Sequence, residues 1–191
     1  MRRRPVTVLA LALAAGLTVA AAPAPAAQTP SQRFFSERLQ GDKDTSAEVK
    51  DLLRTRQGFV DRTVTFKDLT GDDRADAVVR VQSGGADGAI ALYVFSTDTG
   101  VRNSGLKVVF RSQELRRAQT RVRDGVLRYR SARPQPGDEL CCPAAVAETR
   151  LRWRERLHKL TVAERREVAP ADPWGDQAGG SRFSARRARA A

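Results

Sequence analysis

The chain has 191 residues, a formal net charge of +12, one histidine and two cysteines. That length suits one domain with a real core and is too short for two comfortable ones. A single histidine with no serine, cysteine or carboxylate placed to partner it gives a hydrolytic triad little support. No Gly-rich phosphate loop, H-E-x-x-H or paired C-x-x-C occurs.

The first residues read MRRRPVTVLALALAAGLTVAAAPAPAAQTP. Arg2, Arg3 and Arg4 precede an Ala/Leu/Val run from Val6 to Ala22, and Ala24-Pro25-Ala26 offers small residues where a signal peptidase reads. Residues 1–26 are expected to be a cleaved signal peptide, with an exported chain starting near Ala27 and no transmembrane span after cleavage. A retained anchor is the other reading; the dominance of alanine and the lack of a charged stop weigh against it. No cysteine for lipid attachment lies near the end of the run. Losing the three arginines takes the formal charge from +12 to +9. Inside a cell that excess would suggest nucleic acid. Outside, the available polyanions are envelope phosphates, acidic glycans and anionic lipid surfaces, so no intracellular nucleic-acid partner is expected.

Residues 27–43 read as a flexible lead-in, in which Phe34, Phe35 and Leu39 form at most a short helical turn ending at Gly41. A helix is predicted in TSAEVKDLLRTRQGFV. Thr45 and Glu48 form a capping box, Val49, Leu52 and Leu53 make one apolar stripe, and Gly58 marks the stop. From Val64 the apolar period becomes two. The predicted strands are TVTFKDL, DAVVRVQS, AIALYVFST, LKVVFRS, QTRVR, VLRYRSA, ETRLRWR and LHKLTVAE, and Asp124-Gly125 suits a type I′ hairpin. Helix first, then short strands on short loops, favours antiparallel pairing. The expected fold is α+β, a curved antiparallel sheet of seven to eight strands on an N-terminal helix, spanning residues 44–168. Residues 169–191 mix Pro, Gly, Ser and Arg and read as a disordered basic tail.

Three stretches can carry chemistry. In DLTGDDRAD, oxygen ligands fall at alternate positions: Asp68, Thr70, Asp72, the carbonyl of Arg74, and Asp76. Such spacing wraps a hard cation, and calcium is the one cofactor the sequence suggests. It looks like the calcium loops of FG-GAP-type repeats, although Thr70 is a poor ligand and Asp73 stands where glycine usually bends. An Asp/Gly-rich turn is the competing reading. The second stretch is a stripe of arginines: Arg121 and Arg123, Arg128 and Arg130, then Arg150, Arg152 and Arg154, alternating with Val, Leu, Tyr and Trp. On strands this places the apolar residues inward and seven guanidiniums outward. Guanidinium forks bind phosphate and carboxylate in pairs of hydrogen bonds; a solvated, solubilising face is the alternative.

The third stretch is PGDELCCPAA, where Cys141 and Cys142 are adjacent. In an oxidising compartment they are expected to bond to each other, making a strained ring that closes no long loop. Pairing with another chain, or a metal site shared with His158, are the alternatives.

DLTGDDRADAVVRVQSGGADGAIALYVF, PGDELCCPAA and ETRLRWRERLHKL, in that order, resemble the LppP/LprE-type lipoproteins of actinobacterial envelopes. Asp68, Thr70, Gly71 and Asp72 match the family's first element; Gly137, Asp138, Cys141, Cys142 and Pro143 match the second. The likeness covers roughly residues 60–162 and lacks the lipidation cysteine. It implies an envelope location and this kind of fold, and no particular reaction. The function expected is a secreted, monomeric, non-catalytic binding module. Its arginine face would contact an anionic envelope component or another envelope protein. The rival is a small hydrolase of envelope material, with Asp138, Glu139 and His158 as its acid/base groups.

Overall fold

A computed structural model describes residues 27–98, 105–138 and 143–170. The predicted signal peptide, Glu139, the cysteine pair and residues 171–191 lie outside the described residues.

Two helices come first. Helix α1 (Pro30–Gly41) starts from a full capping box: Thr29 Oγ1 accepts from Gln32 N at 3.2 Å, and Gln32 Oε1 accepts from Thr29 N at 2.9 Å. Pro30 at the first position has its φ preset and no N–H to leave unpaired. Residues 27–43 are therefore not the flexible lead-in expected. Phe35 and Leu39 are buried, and Gln32 Nε2 donates to Val60 O at 2.7 Å, fixing the helix to the sheet. Helix α2 (Ala47–Thr55) follows. Its cap is Ser46, whose Oγ accepts from Val49 N, one residue beyond the predicted Thr45–Glu48 box; Thr45 instead donates to Asp42. Arg56 ends α2 in the left-handed region, φ 60°. Gly58 does more than follow the helix. A Cβ there would meet the Gln82 carbonyl at 2.6 Å, so the turn after α2 can lie against the sheet only because that side chain is missing.

Among the described residues nine strands follow: β1 (Phe59–Val60), β2 (Thr65–Lys67), β3 (Asp76–Gln82), β4 (Ala89–Ser96), β5 (Lys107–Ser112), β6 (Gln119–Arg123), β7 (Val126–Arg133), β8 (Ala145–Arg154) and β9 (Lys159–Val168). The fold is α+β with every strand pair antiparallel, and its strands divide between two sheets. The first has the order β1-β3-β4-β5, with β2 beside β1 along the same edge of β3; the second is the meander β6-β7-β8-β9. Asp124 and Gly125 both take positive φ in the β6–β7 hairpin, as a type I′ turn requires.

The layers follow from alternation along β3 and β4. Ala77, Val79, Val81, Ala91, Tyr93 and Phe95 pack with Phe35, Leu39, Val49 and Leu53 of the helices. Val78, Leu92 and Val94 pack the other way, with Val109, Leu127, Tyr129, Leu151 and Leu160. The first sheet is thus the middle layer of three, and β4 is buried at all of its residues. That explains its unbroken apolar run, AIALYVF, which is the pattern of a strand covered on both faces. The outward face of the second sheet carries the arginines.

Candidate anion-binding face

The register of the second sheet decides what the arginine stripe can do. Arg121 lies opposite Arg128, Arg128 opposite Arg150, and Arg150 opposite Glu164. Three like charges side by side across neighbouring strands are destabilising in themselves. In the next row Arg130 lies opposite Glu148, and Glu148 opposite Arg166. Here charge is matched. Glu148 is 4% exposed and its Oε2 accepts from Arg130 Nε at 2.8 Å and Nη2 at 2.6 Å, while its Oε1 accepts from Arg166 Nη2 at 2.8 Å. Arg128 Nη1 stands 3.8 Å from the same carboxylate. Burial alone would push the Glu148 carboxyl up; hydrogen bonds from Arg166 and Arg130 overcome that and hold it below its ordinary value.

This corrects the picture of seven outward guanidiniums. Arg130 is buried and forked onto Glu148. Arg123 stands 3.6 Å from Asp124, and Arg128 shares Glu148. Arg121 lies in the row of like charges described above. Arg150, Arg152 and Arg154 remain: all three are exposed, alternate along β8, and have no ion pair or side-chain hydrogen bond among the described residues. Lys159 lies opposite Arg154 and extends the row of cations. Sequence reasoning missed Glu148 and Arg166 as members of the site. Glu148 was visible in ETRLRWR, but its facing partner depends on the β7–β8 and β8–β9 register.

The Asp loop is a self-contained turn between β2 and β3. Asp68 Oδ1 accepts from Gly71 N at 2.7 Å and Thr70 N at 3.1 Å, and its Oδ2 accepts from Asp73 N at 3.1 Å. The Gly71 N–H is the largest of the influences that lower the Asp68 carboxyl below its ordinary value, outweighing the small burial penalty together with the other amides. Asp72 Oδ1 accepts from Thr70 Oγ1 at 2.9 Å and Arg74 N at 3.1 Å. Asp73 makes the bend that glycine would usually make, at φ 60°, a conformation aspartate tolerates. Asp76 points inward: it is 1% exposed, accepts from Leu69 N at 2.7 Å and bonds Ser96. Burial raises its carboxyl, and the charges of Asp72 and Asp68 raise it further. Among the described residues no group of three His, Cys, Asp or Glu side chains is gathered closely enough to hold an ion.

The turn at Gly137 is pinned at its neck. Asp138 Oδ2 accepts from Gln135 N at 2.8 Å and from Ala144 N at 3.0 Å, and the Ala144 amide leads in lowering its carboxyl. The Cys141–Cys142 pair lies outside the described residues. His158 caps the β8–β9 turn at φ 46°, with Nδ1 3.4 Å from Asp98 Oδ1 and its ring edge-on to Trp153. That separation is within ion-pair range, and the buried Nδ1 makes no hydrogen bond among the described residues. Asp138 precedes β8 and His158 follows it, so ten residues of extended chain, about 30 Å, lie between them. Asp138 and His158 are therefore not brought together; Glu139, the third group of the hydrolase reading, lies outside the described residues.

No family model, curated protein or solved structure matches the chain.

Proposed function

We propose that the protein is an exported, non-catalytic binding module that engages an anionic partner through the outward face of its second sheet. The observation that carries this reading is the set Arg150, Arg152 and Arg154, exposed at alternate positions of β8 and without carboxylate partners among the described residues. Their spacing of about 7 Å sets a line of guanidinium forks along one strand. Beside them on the same face, Glu148 holds Arg130 and Arg166 through charge-assisted hydrogen bonds, so those two side chains are restrained before anything binds. Arg128 and Arg150 also border a small depression of about 210 Å³ with Glu148, Glu164 and Arg166. Export rests on the Arg2–Arg4 and Ala24-Pro25-Ala26 pattern, and an envelope location rests on the motif likeness to LppP/LprE-type lipoproteins. Among the described residues no helix is long and apolar enough to cross a membrane.

The test is binding of the protein lacking residues 1–26 to long-chain polyphosphate and to anionic cell-wall fractions at two salt concentrations. Replacing Arg150, Arg152 and Arg154 together with Ser should weaken binding and flatten its salt dependence, because exposed charges are screened over about 10 Å at 0.1 M salt. Unchanged binding would reduce the stripe to a solubilising face. The Asp loop belongs to this reading as a structural turn. A calcium-dependent rise in Tm that disappears in Asp72→Ala would make it a cation site instead.

A further inference from the structure

A second site lies away from the arginine face, between α1, the turn after α2, and the β1 edge. It is a groove of about 1020 Å³, the size of a small-ligand or oligomer cleft. Its floor is fixed. Gln82 Nε2 donates to Asp61 Oδ2 at 2.7 Å, Arg80 Nη2 pairs with the same oxygen at 2.7 Å, and Gly58 packs against the Gln82 carbonyl. The Asp61 carboxylate is therefore neutralised from behind by Arg80. Phe59 lines the groove while 40% exposed. Around it stand Arg33, Arg56 and Arg62, all exposed, and none has an ion pair or a side-chain hydrogen bond among the described residues.

One exposed phenylalanine is ordinary on a protein surface. An exposed phenylalanine inside a preformed groove, ringed by three unneutralised guanidiniums and lined by amides, is a combination with a chemical meaning. The ring offers an apolar platform, the guanidiniums offer paired donors to carboxylates, and Gln28 adds an exposed amide for hydroxyls. A simple phosphate would use the arginines and leave Phe59 without a partner. A lipid bilayer would meet a concave surface. We propose that this groove binds an acidic sugar, a pyranose bearing a carboxylate, with one ring face on Phe59 and the carboxylate held by the guanidiniums that line the same groove, Arg33, Arg56 and Arg62.

The experiment is calorimetric titration of the protein lacking residues 1–26 with a galacturonic acid hexamer, a neutral galactose oligomer of equal length, and long-chain polyphosphate. The acidic hexamer should bind and the neutral one should not. Phe59→Ala and Arg56→Asn should each weaken hexamer binding about tenfold, the size expected for losing one charge-assisted or well-packed contact. Asparagine is chosen at Arg56 because it accepts the left-handed backbone there, and unchanged Tm confirms that both variants fold. The Arg150/Arg152/Arg154→Ser variant should bind the hexamer as well as wild type, whatever happens to its polyphosphate binding. No hexamer binding by the wild type would overturn the proposal. So would hexamer binding that survives Phe59→Ala and is lost in the β8 variant, which would assign it to the arginine face.

Discussion

Asp76 is a carboxylate where the core of the middle sheet begins. It satisfies the buried Leu69 N–H and is itself raised by burial. A raised carboxyl means that the charged form is disfavoured in the fold, so its contribution to stability is least at neutral pH, grows as pH falls through the raised folded value, and is full below the ordinary carboxylate value. Asp76→Asn keeps an acceptor for Leu69 and removes the charge; melting at pH 7 should show a Tm equal to or above that of wild type. Asp76→Ala strands the buried amide and should cost about 1–3 kcal/mol. A neutral Asp76→Ala would show that the amide finds water. Glu148 has the opposite sign. Its carboxyl is lowered, so its stabilisation is full above the ordinary carboxylate range and is lost as pH falls through the lower folded value. Acid melting curves should fall more steeply for wild type than for Glu148→Gln.

At the scale of elements, two packing claims can be separated by mutation. If α1 is a true core element, Leu39→Ala should destabilise by about 2–5 kcal/mol, read from denaturant unfolding; a loss below about 0.5 kcal/mol would restore the loose lead-in. Removing Glu148 alone takes from the buried Arg130 the carboxylate it is forked onto, for which about 3–5 kcal/mol is expected. Glu148→Leu with Arg130→Met should recover most of that loss, since a buried pair can often be replaced by apolar side chains. The elements differ in how far they could be read from sequence. Strands β2 to β9 were legible because period-two alternation, the apolar run of β4 and Asp124-Gly125 act locally. The two-residue β1 has no period to show. Helix α1 was hidden by its polar composition, PSQRFFSERLQG, although Thr29 and Gln32 carried the capping signal. The unbroken AIALYVF run is the signature of burial on both faces, and the expectation of one sheet on a helix left its second face uncovered. Arg150, Arg152 and Arg154 were readable as an outward row. The pairing that takes Arg130 out of that row was not, because it is set by register between strands.

At the scale of the molecule, the layer order fixes where partners can come. The first sheet is closed by helices on one side and by the second sheet on the other, leaving the outer face of that second sheet and the groove beside α1 as separate surfaces. If both surfaces bind as proposed, mutation should separate them, one through β8 and one through Phe59. The same layering has a consequence for how the chain matures. Val78, Leu92, Val94 and Val109 receive their cover from Leu127, Tyr129, Leu151 and Leu160, all later in the chain. A polypeptide emerging N-terminus first therefore presents a bare apolar sheet face until β6 to β9 arrive. If the chain is exported as proposed, that delay would keep the early part from locking into its finished form ahead of the rest.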